Sequence, residues 1–166
     1  MSVLNIYNPV DIEVDHGDGV YLYSTDGTRY LDFTSGIGVT CLGHSHPALV
    51  NALKNQGEKI WHCSNLFKIK QQKTVADKLV SNSFASYVFF CNSGSEATEA
   101  SIKVARKYFY EKGLKKNRII TFEGAFHGRT LAALFAANNP SHIKGFGPKI
   151  DGFDQVPFGD HKALEK

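Results

Sequence analysis

Between residues 87 and 130 the chain alternates short apolar runs with longer amphipathic ones, and few folds accommodate that alternation. Tyr87-Val88-Phe89-Phe90-Cys91 is an unbroken apolar run closed by the polar turn Asn92-Ser93-Gly94. Such a run suits a strand buried on both faces. The spacing predicts a helix over 95–112, a second buried strand over 118–122 and a further helix starting near Arg129. Strand, helix, strand, helix is the pattern of a parallel α/β sheet with right-handed crossovers. With 166 residues, 42% of them hydrophobic and 21% charged, the chain is long enough to enclose one substantial core.

The first third reads differently. Val20-Tyr21-Leu22-Tyr23 and Thr28-Arg29-Tyr30-Leu31 flank Asp26-Gly27, a hairpin signal. Residues 34–47 are rich in glycine and read as a loop. Pro47 opens a helix that is expected to run to about Lys59, and another is expected over 70–80. The antiparallel start is therefore expected to form a small layer of its own.

Charge and cysteine usage narrow the function. The formal charge is +3, from 19 basic and 16 acidic side chains. The densest basic cluster, Lys112, Lys115, Lys116 and Arg118, reads as a solvated helix end that complements the helix dipole rather than as a nucleic-acid surface. Cys41, Cys63 and Cys91 are far apart, odd in number and form no CxxC. They imply neither a disulfide framework nor a zinc site, and point to a reducing compartment. The N-terminus carries no basic region followed by an apolar stretch, and no apolar run approaches the ~18 residues of a membrane span. No membrane span and a cytoplasmic location are expected.

Three constellations carry possible chemistry. The first is Asn92-Ser93-Gly94-Ser95-Glu96, where a turn enters a helix. Unpaired N–H groups and the helix dipole favour an anion there, and Gly94 lets the backbone approach closely. The same residues also read as a capping box, with Ser93 as N-cap and Glu96 reaching back. The second is Gly124-Ala125-Phe126-His127-Gly128-Arg129-Thr130, just past the next strand. An aromatic ring stacks on a planar cofactor and a guanidinium grips a carboxylate through two parallel hydrogen bonds. The alternatives are a core Phe, a His satisfied by backbone and a surface Arg. The third, Gly38 to Ser45, resembles a nucleotide-binding loop but lacks its lysine, so a tight loop shaping a pocket is the better reading. His44 and His46 have no acidic partner cluster, and no metal site is expected.

These residues resemble a known family. Asn92 to Ala100, continuing through Lys103-Val104-Ala105-Arg106-Lys107-Tyr108, is similar to the phosphate-binding turn and helix of class III aminotransferases. Phe126-His127-Gly128-Arg129-Thr130 resembles the second signature of that class, and Tyr30 to Val39 with Gly43-His44-Ser45-His46-Pro47 resembles its N-terminal region. His62 to Phe67 and Gly145 to Asp160 resemble the acetylornithine/ornithine branch.

The resemblance implies part of the type I fold of pyridoxal 5'-phosphate (PLP) dependent transferases. Residues 1–45 would be the N-terminal small-domain segment and 46–166 the first part of the parallel-sheet large domain. It implies that Gly94 and Ser95 hold the PLP phosphate, Phe126 stacks on the pyridine ring and Arg129 binds the substrate carboxylate. Position 95 is often Ala or Thr in the family; serine keeps the backbone donor and adds a hydroxyl. The implied reaction moves an amino group from N-acetylornithine, or a similar ω-amino donor such as 4-aminobutyrate, to 2-oxoglutarate in arginine biosynthesis, within a homodimer and with no nucleic-acid or membrane partner. No lysine here lies in the context of the family's Schiff-base lysine, which is expected downstream together with the aspartate that pairs with the pyridine nitrogen. The chain alone is therefore expected not to transaminate. A non-catalytic remnant that binds phosphate compounds is the alternative.

Overall fold

The structure is a computed structural model and describes residues 2–166. Its contacts separate two compact units, Met1–Ile69 and Lys70–Lys166. This division falls later than the domain boundary expected after residue 45, so the helix that Pro47 opens groups with the N-terminal unit.

In the first unit, β1 (Val14–Asp18), β2 (Tyr21–Ser24) and β3 (Arg29–Leu31) form an antiparallel sheet in the order β1-β2-β3. The hairpin centred on Asp26-Gly27 joins β2 to β3. Asp26 Oδ1 accepts Ser24 Oγ–H at 2.5 Å and Thr28 N–H at 2.9 Å, and these bonds hold its carboxyl down at about pKa 2. The glycine-rich stretch after β3 contains a single turn, α1 (Ser35–Gly38), whose four residues all have positive φ. A left-handed conformation costs Ser35 and Ile37 roughly 1–2 kcal/mol each. Asp32 offsets that cost. Its Oδ1 accepts Thr34 N–H at 2.8 Å, Thr34 Oγ1–H at 2.6 Å and Ser35 N–H at 3.0 Å, while Oδ2 accepts His44 Nε2–H at 2.8 Å. The Asp32 side chain is only 3% exposed. α2 (Pro47–Gly57) then starts at Pro47, with the His46 side chain accepting Ala48 N–H.

The second unit holds α3 (Lys70–Ser81), α4 (Gly94–Glu111), β4 (Ile119–Phe122), α5 (Leu131–Ala137), α6 (Pro140–Ile143), β5 (Phe153–Val156) and α7 (His161–Glu165). β4 and β5 pair in parallel, with Ile119 opposite Phe153 and Phe122 opposite Val156. Helices lie in the connection between them, as parallel strands require. The core joins Ile102 of α4, Phe135 and Ala136 of α5 and Phe153 of β5. A polar network ties α5 to the sheet: Thr121 Oγ1 donates to Ala136 O at 2.7 Å, and Gln155 Nε2 donates to the same carbonyl at 3.0 Å. The basic cluster after α4 is not merely solvated. Lys112 Nζ lies 4.3 Å from the Tyr108 ring centre, and Arg118 pairs with Asp154 at 2.7 Å and Asp151 at 3.2 Å.

One expectation is corrected. Residues 87–91 do not form a strand buried on both faces. They lie outside both sheets among the described residues, and Tyr87 and Phe89 are 92% and 74% exposed. Apolar character makes a run suitable for burial, but only a neighbouring strand supplies the ladder of hydrogen bonds, and β4 and β5 pair with each other instead. β5 follows a stretch that carries no strong periodic signal and was not foreseen.

The Asp32 contacts set a pH dependence. The hydroxyl of Thr34, then His44, hold its pKa at about 2, below the ordinary 3.8. A depressed carboxylate contributes stability that is present above its unfolded pKa and lost as pH falls toward the folded one. Urea titrations between about pH 4 and about pH 2 are expected to show falling stability, with a shallower fall in Asp32→Asn than in the parent chain. An unchanged slope would mean that Asp32 does not hold the turn.

Candidate functional site

The site is assembled where the N-terminus of α4 meets the loop that leaves β4. Ser93 is the N-cap of α4, and its Oγ accepts Glu96 N–H at 3.2 Å. The Glu96 carboxylate reaches back past Ser93 and accepts Asn92 N–H at 2.7 Å. The capping box is thus present, displaced by one residue. The Asn92 side chain, then its backbone N–H, hold the Glu96 carboxyl below the usual carboxylate range. Glu96 is thus occupied by Asn92 and by the Ser93 hydroxyl at 3.2 Å. Gly94 and Ser95 fill the first two helical positions, whose N–H groups have no acceptor within a helix. The helix dipole adds partial positive charge at that point.

The loop Phe126–Thr130 lies against this turn. Ser95 Oγ accepts Arg129 N–H at 3.4 Å, which leaves its own O–H to donate. Glu99 Oε1 accepts Thr130 Oγ1–H at 2.5 Å. Gly128 permits the approach. It is buried, its φ is +117°, and a Cβ there would lie 2.3 Å from Ser95 Oγ and 3.1 Å from Ser95 Cα. The two segments line an open cavity of about 330 Å³, formed by Ser93, Gly94, Ser95, Thr98, Phe126, His127 and Gly128. That volume lies at the lower end of small-molecule sites. The cavity follows the carboxyl end of β4, where ligands bind in parallel α/β sheets.

Three of the four expected residues share this cavity: Gly94, Ser95 and Phe126. Phe126 is 70% exposed, so it is not a core residue. Arg129 adjoins the cavity through its backbone bond to Ser95, but its side chain is not part of the lining. His127 departs from the backbone-satisfied alternative. Its Nε2 is sealed from solvent and meets no hydrogen-bond partner. Sequence reasoning passed over Thr98, Glu99 and the seating of Gly128 on Ser95. Helical spacing was the available signal, since residues three and four positions beyond Ser95 share its face.

The contact at Gly128 has a direct consequence. Gly128→Ala is expected to push the loop off α4 and weaken binding of an anionic ligand in the cavity at least ~tenfold, because both the positive φ and the Ser95 backbone oppose a Cβ. Shortening Ser95 to Ala in the same chain is expected not to restore binding, since the 3.1 Å contact is to Ser95 Cα. Equilibrium titration of the two variants checks this; binding at parental strength in Gly128→Ala would contradict it.

Comparisons with known proteins agree with this architecture. Residues 4–166 match the family model for class III aminotransferases. The chain is 54% identical over 155 residues to the acetylornithine aminotransferase of Agrobacterium fabrum, covering 93% of this chain and 39% of that one. Among solved structures it matches the ornithine aminotransferase from Toxoplasma gondii ME49 with a TM-score of 0.93 at 28% identity, over 99% of this chain and 39% of that one. The N-acetylornithine aminotransferase from Stenotrophomonas maltophilia K279a gives a TM-score of 0.76 at 35% identity, over 96% of this chain and 38% of that one. The chain therefore spans about two fifths of the length of these relatives, and the α/β fold is the one that they share. The family match runs through both units and takes in every residue of the cavity: this chain belongs to the class III aminotransferases.

Proposed function

We propose that this chain forms the phosphate-binding turn and ring-covering loop of a PLP-dependent aminotransferase. In this reading residues 1–45 belong to the small domain and 46–166 open the large domain. The amino donor is N-acetylornithine and the acceptor is 2-oxoglutarate, which assigns the reaction to arginine biosynthesis in the cytoplasm, within a homodimer. One observation carries the reading: the first turn of α4 and the Phe126 loop line a single cavity.

The residues present fit the cofactor. Gly94 and Ser95 offer backbone N–H groups at a helix N-terminus, which suit a phosphate. The Ser95 hydroxyl adds a donor. Phe126 presents an exposed ring to the same space, as stacking on a pyridine requires. His127 brings a buried ring nitrogen that still has hydrogen-bonding capacity to satisfy. When bound, PLP supplies the carbonyl that takes up the amino group and the ring that draws off an electron pair.

The rest is positioning by this chain's own side chains. The α4 turn fixes the anionic end of the ligand. Phe126 covers one ring face, holds the ring plane and excludes water from it. Arg129, the next residue but one after His127, presents a guanidinium for the substrate carboxylate, where a planar fork can bind both oxygens. Fixing the ring plane and the carboxylate together orients the bond that must break, which is where enzymes of this kind gain rate.

In the holoenzyme containing this chain, kcat/KM with 2-oxoglutarate as acceptor is expected to be higher for N-acetylornithine than for ornithine or 4-aminobutyrate. Arg129→Ala is expected to lower it roughly 10²-fold, mainly through KM. A preference for ornithine would move the chain to the activity named for its Toxoplasma relative. No loss in Arg129→Ala would remove that residue from the carboxylate site.

A further inference from the structure

Ser95 and Glu99 stand four residues apart on α4 and therefore share one helical face. Both reach the loop that follows β4. Ser95 Oγ takes the Arg129 N–H, and Glu99 Oε1 takes the Thr130 hydroxyl proton. The Thr130 oxygen at the same time accepts Ala133 N–H at 3.3 Å and so caps α5. One carboxylate thus links α4, the end of the loop and the first turn of α5.

α5 does not depend on that link for its packing. Ala133, Phe135 and Ala136 are buried, and the Ala136 carbonyl is held by Thr121 and Gln155 from the sheet. Loss of the carboxylate would leave α5 seated and capped, and would remove one of the side-chain ties between the loop and α4, the other being the Arg129 N–H bond to Ser95. Glu99 is half-buried and is not among the residues that line the cavity.

We infer that Glu99 is a positioning residue: through Thr130 it holds the Phe126–Arg129 loop close enough to Gly94 and Ser95 for one ligand to touch both. The inference rests on the reading of the site as a PLP pocket. It adds a residue, outside the cavity, on which the alignment of phosphate, ring and carboxylate contacts depends.

The test uses the holoenzyme with Glu99→Ala, Glu99→Gln, Thr130→Ser and Thr130→Asp. Thr130→Asp keeps a good helix cap but places a second carboxylate against Glu99. Four quantities are read: the Kd for PLP, the induced circular dichroism of its visible band, the KM for the amino donor and the melting temperature of the apoprotein. Glu99→Ala and Thr130→Asp are expected to raise the Kd about tenfold, to reduce the induced signal and to raise KM. Thr130→Ser and Glu99→Gln, which keep a donor and an acceptor, are expected to stay within about threefold of the parent. If Glu99→Ala does not fold, Thr130→Asp against Thr130→Ser carries the comparison alone. Parental Kd and induced signal in Glu99→Ala or Thr130→Asp, with only the melting temperature lowered, would overturn the inference, because a structural tie alone predicts that result. A parent protein that takes up no PLP would overturn the underlying reading itself, which is a separate outcome.

Discussion

The seating of Gly128 on Ser95 is the contact on which the cavity depends. No side chain fits between them, and the φ of +117° at Gly128 is one that only glycine adopts readily. Because the two backbones meet there, the residues on either side are brought to fixed places. Phe126 and His127 line the cavity with Gly94, while the Arg129 N–H and the Thr130 hydroxyl bond Ser95 and Glu99 of α4. The loop forms a wall built between the end of a strand and the start of a helix, which is the kind of support that precise ligand geometry needs.

Both units use the same device to hold a demanding turn. In the first, the buried Asp32 carboxylate collects the N–H groups of Thr34 and Ser35 and anchors His44, and the left-handed turn Ser35–Gly38 stands on it. In the second, Glu96 collects the Asn92 N–H and the Asn92 side chain, which fixes the entry into α4. In each case the acid is held below its ordinary pKa mainly by hydrogen bonds to the turn itself. The second arrangement has a further effect. Glu96 bonds Asn92 and the Ser93 hydroxyl, so its carboxylate is not the partner of the first helical N–H groups, those of Gly94 and Ser95.

Much of this was legible in the residues. Asp26-Gly27 between two short apolar runs gave the hairpin, Pro47 gave a helix start, and Ser93 with Glu96 gave the cap of α4, because each is a local rule that needs only a few neighbouring residues. The meeting of Gly94 with Phe126 followed from topology, since a helix start and a strand end in a parallel α/β unit lie on the same side. What escaped was pairwise and distant. Whether Tyr87–Cys91 becomes a strand depends on a neighbour and not on its own composition. The bond from Glu99 to Thr130 spans thirty-one positions, and the sealed Nε2 of His127 is a property of packing that no local pattern announces.

The proposed site seats an anionic ligand group on the first turn of α4 under the Phe126 loop. A crystal structure of the holoenzyme with bound PLP tests it most directly. The phosphate is expected within hydrogen-bond reach of the Gly94 and Ser95 N–H groups, and the pyridine ring against Phe126. A phosphate held elsewhere, with Gly94 and Ser95 facing only solvent, would contradict it.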